Sequence, residues 1–85
     1  MTYSERSDAL AEQEDAAIDA ADIIALNMVL DEQKEFMVEL AQAAQAGDEQ
    51  ATTELRVMRD VRRRNHPRIE ALVADFFPHV ERVSA

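Results

Sequence analysis

The chain has no cysteine, which removes disulfides, thiolate metal sites and thiol nucleophiles together. Glycine occurs once and proline twice in 85 residues, so breakers are scarce and long uninterrupted helices are expected. No apolar run approaches the roughly 18 residues that a membrane-spanning helix needs. The acidic start MTYSERSDALAEQE lacks the basic residues and apolar run of a secretory signal. A cytoplasmic protein without a membrane segment is therefore expected. Gly-rich phosphate loops, nucleophile elbows and zinc signatures are all missing as well.

What the chain does contain is 47% hydrophobic residues and 32% charged ones, spaced at helical intervals throughout. This is the composition of a single all-α domain over residues 1–85. A core of this size supplies only about 3 to 5 kcal/mol, so self-association or a partner is expected on physical grounds. The net charge of −9 is unevenly distributed. Residues 1–47 carry eleven acids against Arg6 and Lys34, whereas residues 48–85 carry seven acids and seven arginines. Six of those arginines, Arg56, Arg59, Arg62, Arg63, Arg64 and Arg68, fall within thirteen residues against Asp60 alone. Either the basic cluster pairs with the acidic half, within the chain or across a dimer, or each half faces a partner of its own.

Residues 1–6 read as a frayed start, with Ser4 or Ser7 as helix cap. A run without Gly or Pro then extends over 7–46 and predicts a long first helix. Glu5, Asp8, Glu12, Asp15, Asp19 and Asp22 recur every three or four residues, drawing an acidic stripe along one face. Leu10, Ala17, Ala21, Ile24 and Met28 lie opposite. Beyond Asp22 the apolar side swings to Leu26, Val29, Phe36 or Met37, Leu40 and Ala44. Across this swing, Ile23–Leu30 is apolar nearly all round, with Asn27 its one polar member. The helix either changes packing partners there or breaks near 27–31; the lack of Gly and Pro favours continuity. A helix of 40 residues would be about 60 Å long, too long for two shorter helices of one chain to cover. A homodimer is expected, with Ile23, Leu26, Asn27, Leu30, Met37 and Leu40 at the interface.

Gly47 is placed as a left-handed helix terminator, and Asp48 as the cap of a second helix over 48–64. A third helix over 66–84 starts with Pro67 in its first turn and is interrupted near Pro78. On the second helix Ala51, Leu55, Met58 and Val61 form the buried face, and Arg56, Arg59 and Arg63 lie beside it. Arg56, Arg59, Arg62, Arg63 and Arg64 are the candidate contacts to an anion or a nucleic acid, since guanidinium forks match phosphates and carboxylates. No aromatic side chains interleave them as base-stacking platforms. His66 and His79 have no Glu or Asp three residues before them, so the helical metal-site pattern is missing. No metal, cofactor or catalytic residue is expected.

Ile18-Asp19-Ala20-Ala21-Asp22 in the first helix, an acidic turn, Thr53-Glu54 with Val57-Met58, and Phe77 seven residues before Ser84 resemble the small all-helical chorismate mutases. The resemblance covers about residues 10–85 and implies an intertwined three-helix homodimer. In that family Arg and Lys side chains clamp the substrate's carboxylates. The matching positions here hold Asp15, Glu32 and Ala43, and Thr53 replaces the Arg of an Arg-Glu pair; only Glu54 and Ser84 match. Acids at these places would repel a dianionic substrate, so the resemblance implies an architecture and argues against the activity. The function expected is that of a non-catalytic helical interaction protein, a small regulator or adaptor. A nucleic-acid-associated protein using the Arg56–Arg68 cluster is the alternative, and a divergent chorismate-mutase-like protein the second.

Overall fold

The computed structural model describes residues 1–76, which form three α-helices: α1 (Tyr3–Asp19), α2 (Ile23–Gln45) and α3 (Glu49–Phe76). Among the described residues there is no strand, as the composition requires of an all-α chain. Arg6 reaches Glu39 and Glu14 reaches Gln33, so α1 and α2 are antiparallel. Asn65 and Arg68 of α3 meet Glu14 and Asp19 of α1, so α1 and α3 run the same way.

The first helix starts earlier than its serines indicate. Thr2 is the cap: its hydroxyl accepts from the Glu5 N–H, and the Glu5 carboxylate accepts from the Thr2 N–H, both at 3.1 Å. This reciprocal pair is a capping box. The expected caps Ser4 and Ser7 lie inside the helix, and Ser7 is buried.

The single long helix over 7–46 is corrected to two, and the break lies at Ala20–Asp22 rather than near 27–31. Ala21 takes a left-handed conformation with φ of 53°. The Asp22 N–H donates to the Ala17 carbonyl and the Ala21 N–H to that of Ile18, which is a Schellman termination. Asp22 then caps α2 by accepting from the Ala25 N–H at 3.0 Å. Gly47 repeats the same device at the end of α2: its φ is 99°, with bonds from Asp48 to Ala43 and from Gly47 to Ala44. Asp48 accepts from the Ala51 N–H at 3.2 Å and opens α3 as expected.

The helices placed at 48–64 and 66–84 are likewise corrected to one continuous α3 through Pro67. Proline within a helix removes one hydrogen bond and crowds the preceding turn. Here it is exposed, on the side where water can take up the freed carbonyl, while Met58, Val61, Asn65 and Leu72 are buried on either side of it. Packing against the other two helices outweighs the local preference. Residues 77–84, including Phe77, Pro78, His79, Val80 and Ser84, lie outside the described residues.

The core draws Leu10 and Ala17 from α1, Leu26, Val29, Phe36 and Leu40 from α2, and Ala51, Met58, Val61 and Leu72 from α3. The early turn resets the helical phase. Ile24 and Met28, placed by the sequence on the buried side of α1, therefore point outward from α2.

Candidate interaction surfaces and a buried carboxylate

Of the expected interface residues, Leu26 (3% exposed) and Leu40 (0%) are consumed by the core of the chain itself. Ile23, Leu30 and Met37 are partly buried and pack against that core, whereas Asn27 is exposed in mid-helix. The apolar ring leaves two large side chains in solvent one turn apart: Ile24, 76% exposed, and Met28, 60% exposed. Met28 also lines a shallow groove of about 390 Å³ between α1 and α2, with Ala16, Ala17, Ala20, Ala25 and Val29 among its other walls.

The arginine cluster divides in two. Arg68 is the member that joins the acidic stripe: Nη1 donates to Asp15 and Nη2 to Asp19, each at 3.0 Å. One guanidinium thus spans two carboxylates four residues apart on a neighbouring helix. Among the described residues Arg63 has only Asp60, its own neighbour on α3, at 3.1 Å. Arg62 approaches the Met37 sulfur at 4.0 Å. Among the described residues Arg56, Arg59, Arg62 and Arg64 have no carboxylate within ion-pair distance, and all four are exposed. Arg56, Arg59 and Arg63, spaced by three and four, share the outward side of α3.

Glu5, Asp8 and Glu12 keep the exposed part of the α1 stripe. The hydrogen bonds from Thr2 hold the Glu5 carboxyl below its usual range. A second acidic surface, Asp31, Glu32, Glu35 and Glu39, is exposed on α2. Glu39 pairs with Arg6, whose guanidinium also lies 4.3 Å from the centre of the Phe36 ring.

Beneath these surfaces lies a polar layer that contributes one residue per helix. Glu14, Gln33 and Asn65 are each fully buried. The Gln33 amide donates to one carboxyl oxygen of Glu14, and the Asn65 amide to the other. Asn65 Oδ1 in turn accepts from Arg68 at 3.0 Å, so the network runs from the centre of the bundle to the Asp15–Asp19 pair at its surface. Gln33 Oε1 and Ser7 Oγ are buried without a hydrogen-bond partner among the described residues.

Compared with protein-family models, with curated proteins and with solved structures, the chain matches none. Its function has to be argued from these surfaces. Glu14 borders a cavity of about 290 Å³ whose other walls are Leu30, Arg62, His66 and Ile69, but both its carboxyl oxygens already hold amides, an arrangement that fixes three helices relative to one another. His66 Nε2 lies 3.0 Å from Glu70 on the exposed side of α3. Among the described residues no group of three His, Asp or Glu side chains converges on a metal position, and no helix is long and apolar enough to cross a membrane. The sequence reading missed the polar layer, yet its signal is present: the buried stripes (7, 10, 14, 17; 26, 29, 33, 36, 40; 51, 58, 61, 65, 72) carry Glu14, Gln33 and Asn65 in phase with their apolar members, and that of α1 carries Ser7 as well.

Proposed function

We propose that this chain is a non-catalytic helical interaction protein, a small cytoplasmic regulator or adaptor that works as a homodimer through the outer side of α2. The observation that carries the reading is the exposure of Ile24 and Met28 beside the alanine-lined groove. Large apolar side chains one turn apart in a bundle this small are surface that association would bury. The wild-type chain should sediment as a dimer at micromolar concentration, and Met28→Glu should shift it to monomer while its circular dichroism stays helical. A wild-type monomer at that concentration, or a Met28→Glu dimer of undiminished stability, would overturn this reading.

A second reading, association with nucleic acid, is favoured by the four exposed arginines that have no carboxylate partner among the described residues. The net charge of −9 opposes it, because the acidic sides of α1 and α2 repel a phosphate backbone wherever they approach it. A low-salt gel shift with duplex DNA, repeated with Arg62, Arg63 and Arg64 changed together to Gln, decides it. Absence of a shift would dismiss it.

A further inference from the structure

The seam between α1 and α2 is open along its outer side. Two shallow hollows of about 360 and 390 Å³ lie on it, and Gln13 of α1 and Glu32 of α2 line both, so that they join into one groove. On the α2 side the groove runs from Ala25 to Glu39, about 20 Å at 1.5 Å per residue. That is nearly four turns of a helix. Its floor is apolar, with Leu10, Ala17, Val29 and Phe36 at the edge of the core. Its α1 wall is formed by Ala9, Gln13, Ala16 and Ala20, spaced four, three and four. Short side chains at helical spacing let the ridge of another helix approach closely.

The opposite lip of the same groove is acidic. Asp22, Glu32, Glu35 and Glu39 line it from the α2 side, and all four are exposed. The one basic side chain in the lining is Arg6, with Met1 at the same end. Arg6 is already engaged by Glu39 and by the face of Phe36. Glu32 and Glu35, in the middle of the lip, have no basic partner within ion-pair distance among the described residues. An apolar trough with unbalanced acids along one lip is complementary to a helix that is apolar on one side and basic beside it. It repels a phosphate backbone.

We propose that the α1–α2 groove docks a basic amphipathic helix of a partner protein. The apolar side of that helix rests on the floor of the groove, its backbone lies close to the alanines of α1, and its Lys or Arg side chains reach Glu32 and Glu35. The proposal rests on the reading of the chain as an interaction protein and deepens it by naming the partner's chemistry. A helix laid in an apolar groove, with complementary charge at the rim, is a general mode of recognition. A second copy of this chain is a poorer occupant. The basic helix it offers is α3, whose outward side presents Arg56, Arg59 and Arg63 rather than an apolar stripe.

The test uses fluorescence anisotropy with the full chain and a labelled alanine–leucine helical peptide whose leucines follow one side and whose lysines flank them. The control is a peptide of identical composition with the lysines spread around the helix. The amphipathic peptide should bind at least fivefold more tightly than the control. Glu32→Gln with Glu35→Gln should weaken it at least fivefold. Ala16→Gln, which narrows the groove with a good helix former and no change of charge, should weaken it severalfold. Asp8→Asn with Glu12→Gln removes the same charge from α1 outside the groove and should leave the affinity within twofold. Equal affinity for the two peptides, equal losses from the two pairs of acid substitutions, or indifference to Ala16→Gln would overturn the docking groove. Loss of self-association in Ala16→Gln with peptide affinity unchanged would assign the groove to a second copy instead. Sedimentation of the wild-type chain without peptide separates failure of the groove from failure of the broader reading, because it reports dimerisation whether or not the peptide binds.

Discussion

Among the described residues Glu14 has the most demanding environment. Its carboxyl is fully buried and tolerable there only because Gln33 and Asn65 each donate to it. Glu14→Ala removes the acceptor for two buried amides at once. At about 1 to 3 kcal/mol for each unsatisfied group, the combined loss is comparable to the roughly 3 to 5 kcal/mol that a core of this size supplies. The triple change Glu14→Leu, Gln33→Leu and Asn65→Leu removes donors and acceptor together and should be close to neutral, or stabilising, in urea denaturation. A Glu14→Ala midpoint within experimental error of wild type would mean that the layer holds nothing. Each member of the layer was legible only in combination. Glu14 looks like one more acid among eleven in the first 47 residues, and its burial becomes visible only from its phase with Leu10 and Ala17.

At the scale of elements, what the sequence conveyed was set by which residue occupies each turn. Ala20-Ala21-Asp22 and Ala46-Gly47-Asp48 make the same chain reversal, with matching hydrogen bonds and an aspartate that caps the next helix. The second was readable because glycine marks a left-handed position. The first was not, because alanine marks a helix, and the propensity reading ran α1 into α2. The acidic stripe follows α1 from Glu5 to Asp19, but its last expected member, Asp22, caps α2 instead; the phase beyond it was misassigned for this reason, which also displaced the expected break to 27–31. Pro67 misled in the opposite direction: it marks a boundary that packing overrides. Alanine in the left-handed region costs about 1 kcal/mol that glycine avoids, and Ala21 is exposed, so little contact is lost on replacing it. Ala21→Gly should therefore stabilise the fold by up to about 1 kcal/mol, raising the melting temperature by roughly 4 to 8 °C in a domain this small. An unchanged or lowered melting temperature would show that the turn is not held as described.

For the molecule as a whole, the all-α class followed from composition and periodicity, but the division of apolar residues between core and surface depended on the turn. Within the ring Ile23–Leu30, Leu26 belongs to the core and Ile24 to the surface, a difference that the uninterrupted helix concealed. Two substitutions of identical chemistry should consequently have opposite effects. Leu26→Glu gives up about 2 to 3 kcal/mol of apolar burial and adds the several-kcal/mol penalty of enclosing an unpaired carboxylate, enough to unfold the chain. Ile24→Glu puts an acid in the first turn of α2, just after its cap at Asp22, where the helix dipole favours negative charge by about 0.3 to 1 kcal/mol. It should leave the fold as stable as wild type or slightly more so, while removing an apolar side chain from the face proposed to self-associate. The comparison is read by thermal unfolding followed by circular dichroism at a concentration where the wild type is monomeric, and by sedimentation at higher concentration. Ile24→Glu should be fully helical yet weaker in association, and Leu26→Glu should have lost its helical signal. If Ile24→Glu melted like Leu26→Glu, the side of α2 assigned to solvent would be the side that the chain buries.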